Sequence, residues 1–289
     1  MVGVVFHGGS SSDTRRQQGA GDNMANSVRS QHAARGDERF FLYASFAMAA
    51  VIVAGFSLQL IAGRSSFSAP LLVHAHAIVF MGWVVLYVLQ NRFVAAGNLA
   101  LHRRLGWIGA VWIIAMIVLG CAVTIAIVRR GQTPFFFVPQ HFLVFDPLSL
   151  FTFAGLTVTA IVMRRHTDWH RRLHFCAMAT LLGPAIGRLL PMPLLIPWAW
   201  EATLPFVLLF PFVAAIADVR RNGQVHPAFV RGIAVIAASM LMTEAVAYSP
   251  VGAALYRAVT AGSPGAGVAP LEFPPPPSGP LITGQTASM

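Results

Sequence analysis

The sequence predicts an all-α, polytopic transmembrane helical bundle of about seven spans, and three observations lead there. Only 10% of the 289 residues are charged, where ordinary globular chains carry about 25%. Hydrophobic residues make up 56% and the mean hydropathy is +0.66. The apolar residues also arrive in blocks of about twenty, the helical length that crosses roughly 30 Å of hydrocarbon at about 1.5 Å per residue.

Residues 1–38 are rich in Gly, Ser, Gln, Asn and Arg without an apolar period. Such a segment does not repay the entropy of ordering, so a disordered cytoplasmic N-terminus is expected. Its apolar stretch at 2–6 is too short for the core of a signal peptide. A seven-span domain is expected over 39–249, with spans near 40–62, 70–93, 105–128, 143–163, 173–190, 198–217 and 229–248. The fifth is the shortest and contains Gly183, Pro184 and Gly187, which should kink it and allow close backbone approach. Pro191, Pro193 and Pro197 precede the sixth and blur its start. No further apolar run of spanning length follows, and prolines 274–277 read as part of a loose tail over 250–289.

All twenty basic residues are arginine. The absence of lysine excludes a retinal Schiff base, a pyridoxal-phosphate aldimine and a phosphate-binding P-loop. With the N-terminus inside, fifteen of the twenty arginines fall on the cytoplasmic side, so the positive-inside rule places the N-terminus in the cytoplasm and the C-terminus outside. The formal charge of +10 then suits anionic lipid headgroups at the inner ends of the helices, and no nucleic-acid partner is expected. Cys121 and Cys176 both lie in apolar runs, leaving neither a disulfide framework nor a paired-cysteine zinc site.

Leu101-His102-Arg103-Arg104-Leu105 matches Trp169-His170-Arg171-Arg172-Leu173, and each copy opens a span from the inner side. Arg92 and Arg164 close the preceding spans, and His74 and Asp146 occupy equivalent places within them. Spans two and three therefore look like a duplicate of spans four and five. Asn98 and Asp168 are expected as N-caps of the two helices that begin at these motifs.

Seven of the ten histidines lie between His74 and His174, in or beside spans two to five. His102, His170 and His174 gather at the inner face, and His74, His76 and His141 at the outer one. Histidines on alternate helices at both faces are what two haems b stacked in a four-helix bundle require, since axial ligation needs neutral imidazoles from facing helices. His74 and His76 are roughly 200° apart around a helix and do not both face one partner. His170 and His174, at i and i+4, share a face. The repeat puts Asp146, not a histidine, opposite His74, so the inner pair carries the haem reading better. The alternative is that these imidazoles bond backbone, headgroups or water at the interface. Glu201, Glu244, His74, His76 and Asp146 are candidates to line a polar outer cavity, with Arg188 as counter-charge, suited to proton relay or cation capture.

His74-x-His76, Trp83, Gln90, the segment Leu101 to Gly106 and the motif His170-Arg171-Arg172-Leu173 resemble bacterial multi-spanning membrane proteins of unknown function. Those families are similar to histidine-bearing cytochrome-oxidase assembly proteins and, more distantly, to transmembrane di-haem cytochromes b. The resemblance covers about residues 70 to 190. It implies a place in the bacterial inner membrane, a respiratory role beside respiratory-complex proteins, and haem or copper as cofactor.

The first functional expectation is a haem-binding redox or assembly protein with His102 and His170 or His174 as ligands. The second is a small-molecule or ion carrier using the outer His/Asp/Glu cavity. The third is a structural membrane protein without chemistry. No nucleophile motif, nucleotide fingerprint or soluble catalytic domain is present, so an enzyme of the usual kinds is not expected.

Overall fold

The structure, a computed structural model, describes residues 11–65 and 67–279, with side chains from Gly36 onward. Nine α-helices occur among the described residues: α1 (Ser11–Ile61), α2 (Leu71–Ala95), α3 (Leu99–Arg129), α4 (Pro139–Val162), α5 (Thr167–Thr180), α6 (Gly183–Leu189), α7 (Leu204–Asn222), α8 (Pro227–Ala247) and α9 (Pro250–Thr260). Six of them contain segments long and apolar enough to cross a membrane. The apolar segment of α1 is Gly36–Ile61, but helical backbone runs back to Ser11, over a stretch the composition left without structure.

The expected fifth span is two shorter helices, α5 and α6. They break where Gly183 and Pro184 begin α6, because proline contributes no amide to continue the ladder. Together they still cover the thickness of the bundle. Arg171 of α5 meets Asp37 near the start of the α1 span at 2.6 Å. At the other end, the Gln59 amide of α1 donates to the Arg188 carbonyl of α6 at 3.0 Å. α5 and α6 together thus join one end of the bundle to the other. The end with Asp37 is called proximal here and the end with Gln59 distal.

α4 is the central helix. Half of its spanning window is buried, against 17–33% for the other five. Phe153 and Ala160 of α4, Met116 of α3 and Cys176 and Ala179 of α5 are fully enclosed. Trp83 meets Phe153 edge-on at 5.1 Å, and Phe175 bridges Phe41 and Phe229. The outward faces stay apolar, as at Ile78, Val111, Ile114 and Leu241, which is the surface a hydrocarbon solvent selects.

The segment after 249 differs from the expected loose tail. The Ser249 hydroxyl accepts from the amides of Val251 and Gly252 and caps α9. The Tyr256 hydroxyl donates to the Gly265 carbonyl at 3.1 Å, and the Gln140 amide donates to the Pro270 carbonyl at 2.9 Å. α9 is too short to span, so a search for runs of about twenty passes over it. It nevertheless buries one face, with Gly252, Tyr256 and Thr260, over the distal ends of α3 and α4.

Candidate functional sites

Three polar clusters sit in the bundle. The first joins the proximal ends of α3 and α5. The Asn98 side chain accepts from the Leu101 amide at 3.2 Å, the expected cap, and holds His102 in the first turn of α3. His170 and His174 project from one face of α5. Ring centroids are 6.1 Å apart for His102 and His170, and 4.7 Å for His170 and His174, each pair nearly perpendicular. His170 Nδ1 lies 2.8 Å from the Ala160 carbonyl. A carbonyl only accepts, so Nδ1 carries the proton and Nε2 keeps its lone pair. His102 Nδ1 and Gln90 Oε1 are buried without hydrogen-bond partners. Orphaned buried polar atoms are uncommon in folded proteins and call for a reason.

The second cluster was not foreseen. Arg172, 2% exposed, donates to both carboxylate oxygens of Asp218, 0% exposed, with Nη2–Oδ1 at 2.5 Å and Nε–Oδ2 at 3.2 Å. Arg172 also meets Asp37 at 3.3 Å, and Arg221 meets Asp37 at 2.8 Å. Arg171 pairs with Asp37 and Asp168. Three arginines and three aspartates therefore cancel in charge while tying α1, α5 and α7 together. Asp218 further accepts from the His226 amide at 2.9 Å, which adds the start of α8. His226 Nδ1 accepts from the Ala228 amide at 3.2 Å. Burial, and then the Arg172 guanidinium, hold this imidazole below its ordinary pKa and so in the neutral form that accepts. Asp168, expected as an N-cap, lies inside the first turn of α5 and serves as an ion-pair partner; His166 holds the cap position.

At this knot the two copies of the His-Arg-Arg motif differ at the level of side chains. Arg172 is enclosed, whereas Arg104, its counterpart in the first motif, is exposed. Asp37 and Asp218 each follow or precede an apolar run by a turn, where a charge reads as an ordinary span boundary. The legible hint was Asp218 standing before Arg220 and Arg221, still within the apolar register of α7.

At the distal end the expected single cavity divides. Glu201 and Glu244 gather around His141, whose Nε2 lies 2.8 Å from Glu244 Oε1. His141 is 4% exposed and enclosed by Trp200 at 5.0 Å and Tyr248 at 5.7 Å between ring centroids. Burial, with the Glu244 and Glu201 carboxylates, pushes the Tyr248 phenol above its ordinary range. Asp146 belongs to a separate, deeper group in which Thr124 Oγ1 donates to it. Pro147, the next residue, interrupts the helical ladder there. His76 stacks on Phe80 at 4.1 Å. The Arg188 guanidinium donates to the Pro184 carbonyl at 2.8 Å and lies 4.2 Å from the centre of the Phe56 ring. His74 is bonded to the Phe67 carbonyl at 3.1 Å.

No family model, curated protein or solved structure matches the chain. Its six long apolar helices define a multi-pass helical membrane protein. Among the described residues, no three His, Cys, Asp or Glu side chains converge as a metal site.

Proposed function

We propose that this protein binds haem b in the bacterial inner membrane, with its N-terminus cytoplasmic, and serves respiratory electron transfer or oxidase assembly. His102 and His170 are the pair that would hold the haem, and His174 lies one turn along α5 from the second of them. The single observation that carries this reading is the way His170 is held. Its Nδ1 donates to the Ala160 carbonyl, the outer-sphere bond that fixes tautomer and orientation in metal-ligating histidines.

The donor set agrees in other respects. The two imidazoles come from different helices and their ring centroids are 6.1 Å apart. A pair of imidazole nitrogens from two facing helices is the donor set that would hold haem. His102 Nδ1 is buried and unpartnered. Bound haem would supply one-electron chemistry. The chain supplies orientation through Asn98 and the Ala160 carbonyl, and a low-dielectric surrounding through the bundle.

The test is the reduced-minus-oxidised visible spectrum of the detergent-purified full chain, expressed with haem supplied. A sharp haem b band is expected in the wild type, lost in both His102→Ala and His170→Ala and kept in His166→Ala, an exposed histidine outside the pair. A colourless wild type that is folded by circular dichroism would overturn the proposal.

A second reading rests on the distal cluster. A buried His141 paired with the partly exposed Glu244, with Glu201 beside it, is an arrangement for proton-coupled movement of a cation or small molecule. Proton-dependent flux in liposomes, abolished by Glu244→Gln while the visible spectrum is unaltered, is the result expected of a carrier. Equal flux in the two proteins would remove this reading.

A further inference from the structure

On the outward surface of the bundle, α4, α5 and α8 enclose an open groove of about 470 Å³. Its walls are Leu148, Phe151, Gly155 and Leu156 of α4, with Leu173 and Val235 opposite. Two hydroxyls lie along it, but Thr152 Oγ1 donates to the Leu148 carbonyl and Thr159 Oγ1 to the Gly155 carbonyl. Both are spent on their own helix, so the wall is effectively apolar. From Met163 at the proximal end to Leu148, the groove follows α4 for about 22 Å. That exceeds the roughly 15 Å depth of one hydrocarbon leaflet.

The groove has a charge at one end only. Arg231 lines it near the proximal face, and its guanidinium lies 4.6 Å from the Trp169 ring centre. A tryptophan at that level marks the headgroup boundary. Arg231 differs from the arginines of the nearby knot. Arg171, Arg172 and Arg221 are each paired with aspartate, whereas Arg231 makes no ion pair with any carboxylate among the described residues. A cation without a protein anion, at the mouth of an apolar trough one leaflet deep, complements a molecule with an anionic head and a long hydrocarbon chain.

We infer that this groove seats one anionic phospholipid of the proximal leaflet, its phosphate on Arg231 and an acyl chain along Gly155. The inference is independent of the haem proposal. Gly155 offers a clean means of testing it. A Cβ built there meets nothing within 4 Å, so Gly155→Leu fills the trough without straining the helix, and leucine favours helix over glycine.

The experiment is native mass spectrometry of the detergent-purified full chain, delipidated and mixed with equal amounts of phosphatidylglycerol and phosphatidylcholine carrying the same acyl chains. The wild type should retain one lipid, with about fivefold preference for phosphatidylglycerol, the effect of one basic side chain near a headgroup. Gly155→Leu should lose that lipid while its thermal transition is at least that of the wild type. Arg231→Gln should keep a lipid but bind the two headgroups equally. Undiminished adducts in Gly155→Leu would overturn the inference. So would a wild-type dimer that Gly155→Leu converts to monomer, since the groove would then belong to a second copy of the chain.

Discussion

Arg172→Leu is expected to lower the stability of the folded bundle by about 3–5 kcal/mol, the cost of removing one partner from a buried ion pair. The reason lies in what the substitution leaves behind. Asp218 is fully enclosed and Asp37 nearly so, and both lose a guanidinium that is itself 2% exposed. Asp37 still has Arg171 and Arg221. Asp218 retains only the neutral donors Asn222 and the His226 amide, so an uncompensated carboxylate remains in the interior.

The sign of the effect does not require the knot to be a net source of stability. Buried ion pairs often break even against apolar residues of the same shape, and it is the severed pair that is costly. Arg172→Leu with Asp218→Leu should therefore recover a substantial part of the loss. Arg172→Lys should not, because Arg172 uses two nitrogens on the two oxygens of Asp218 and an ammonium lacks that fork. Thermal unfolding in detergent, followed by size-exclusion, measures all four proteins. Arg104→Leu is the control, since Arg104 is exposed and surface substitutions stay within about 0.5 kcal/mol. An Arg172→Leu transition equal to that of Arg104→Leu would show that the knot does not hold the proximal ends together.

That knot also shows where sequence reasoning stopped. Long apolar runs are one-dimensional features, so the helices from α1 to α4, α7 and α8 were legible from hydropathy alone. The asymmetry of the repeated His-Arg-Arg turn was not, because burial depends on which helices lie opposite. Arg172 faces Asp37 and Asp218, which stand far away in the chain, while Arg104 has no such neighbours. The proximal histidines, by contrast, were recognisable as a group, as one motif supplies His102 and the other His170, with His174 directly after it. Their relation to Ala160 and Gln90 required the fold. The distal residues were grouped by depth along their helices, which says nothing of azimuth. Glu201 and Glu244 turn toward His141, and Asp146 turns toward Thr124. The α9 segment was missed because a short amphipathic helix buries a face through α3 and α4, not through its own mean hydropathy.

The second large effect is expected at Gly55. A Cβ there would lie 2.5 Å from the Ala185 carbonyl oxygen and 3.0 Å from Ala185 Cα. The obstacle is the backbone of α6, which cannot rotate aside as a side chain does. Gly55→Leu should therefore force α6 from α1 and destabilise the protein by at least the 1–3 kcal/mol typical of overpacking. Ala185→Gly should not rescue it, since trimming that methyl leaves the carbonyl in place. Gly120 provides the contrast: its nearest obstruction is Leu150 Cδ2 at 2.5 Å, so the loss in Gly120→Ala should be relieved by Leu150→Ala. Displacing α6 also has a chemical consequence. The Gln59 bond to the Arg188 carbonyl and the seat of Arg188 on Phe56 both depend on that contact. Without them the Arg188 guanidinium loses its seat, so the arrangement at the distal end should be lost together with stability, while the proximal histidines, carried by α3 and α5 and tied to α4 through Ala160, keep their geometry. Thermal unfolding measures the loss of stability, and the spectrum that tests the proposed haem site reads the proximal histidines. A Gly55→Leu protein that melts with the wild type would mean that α6 is not seated on α1, and the contact at Gly55 would not hold the distal end of the bundle together.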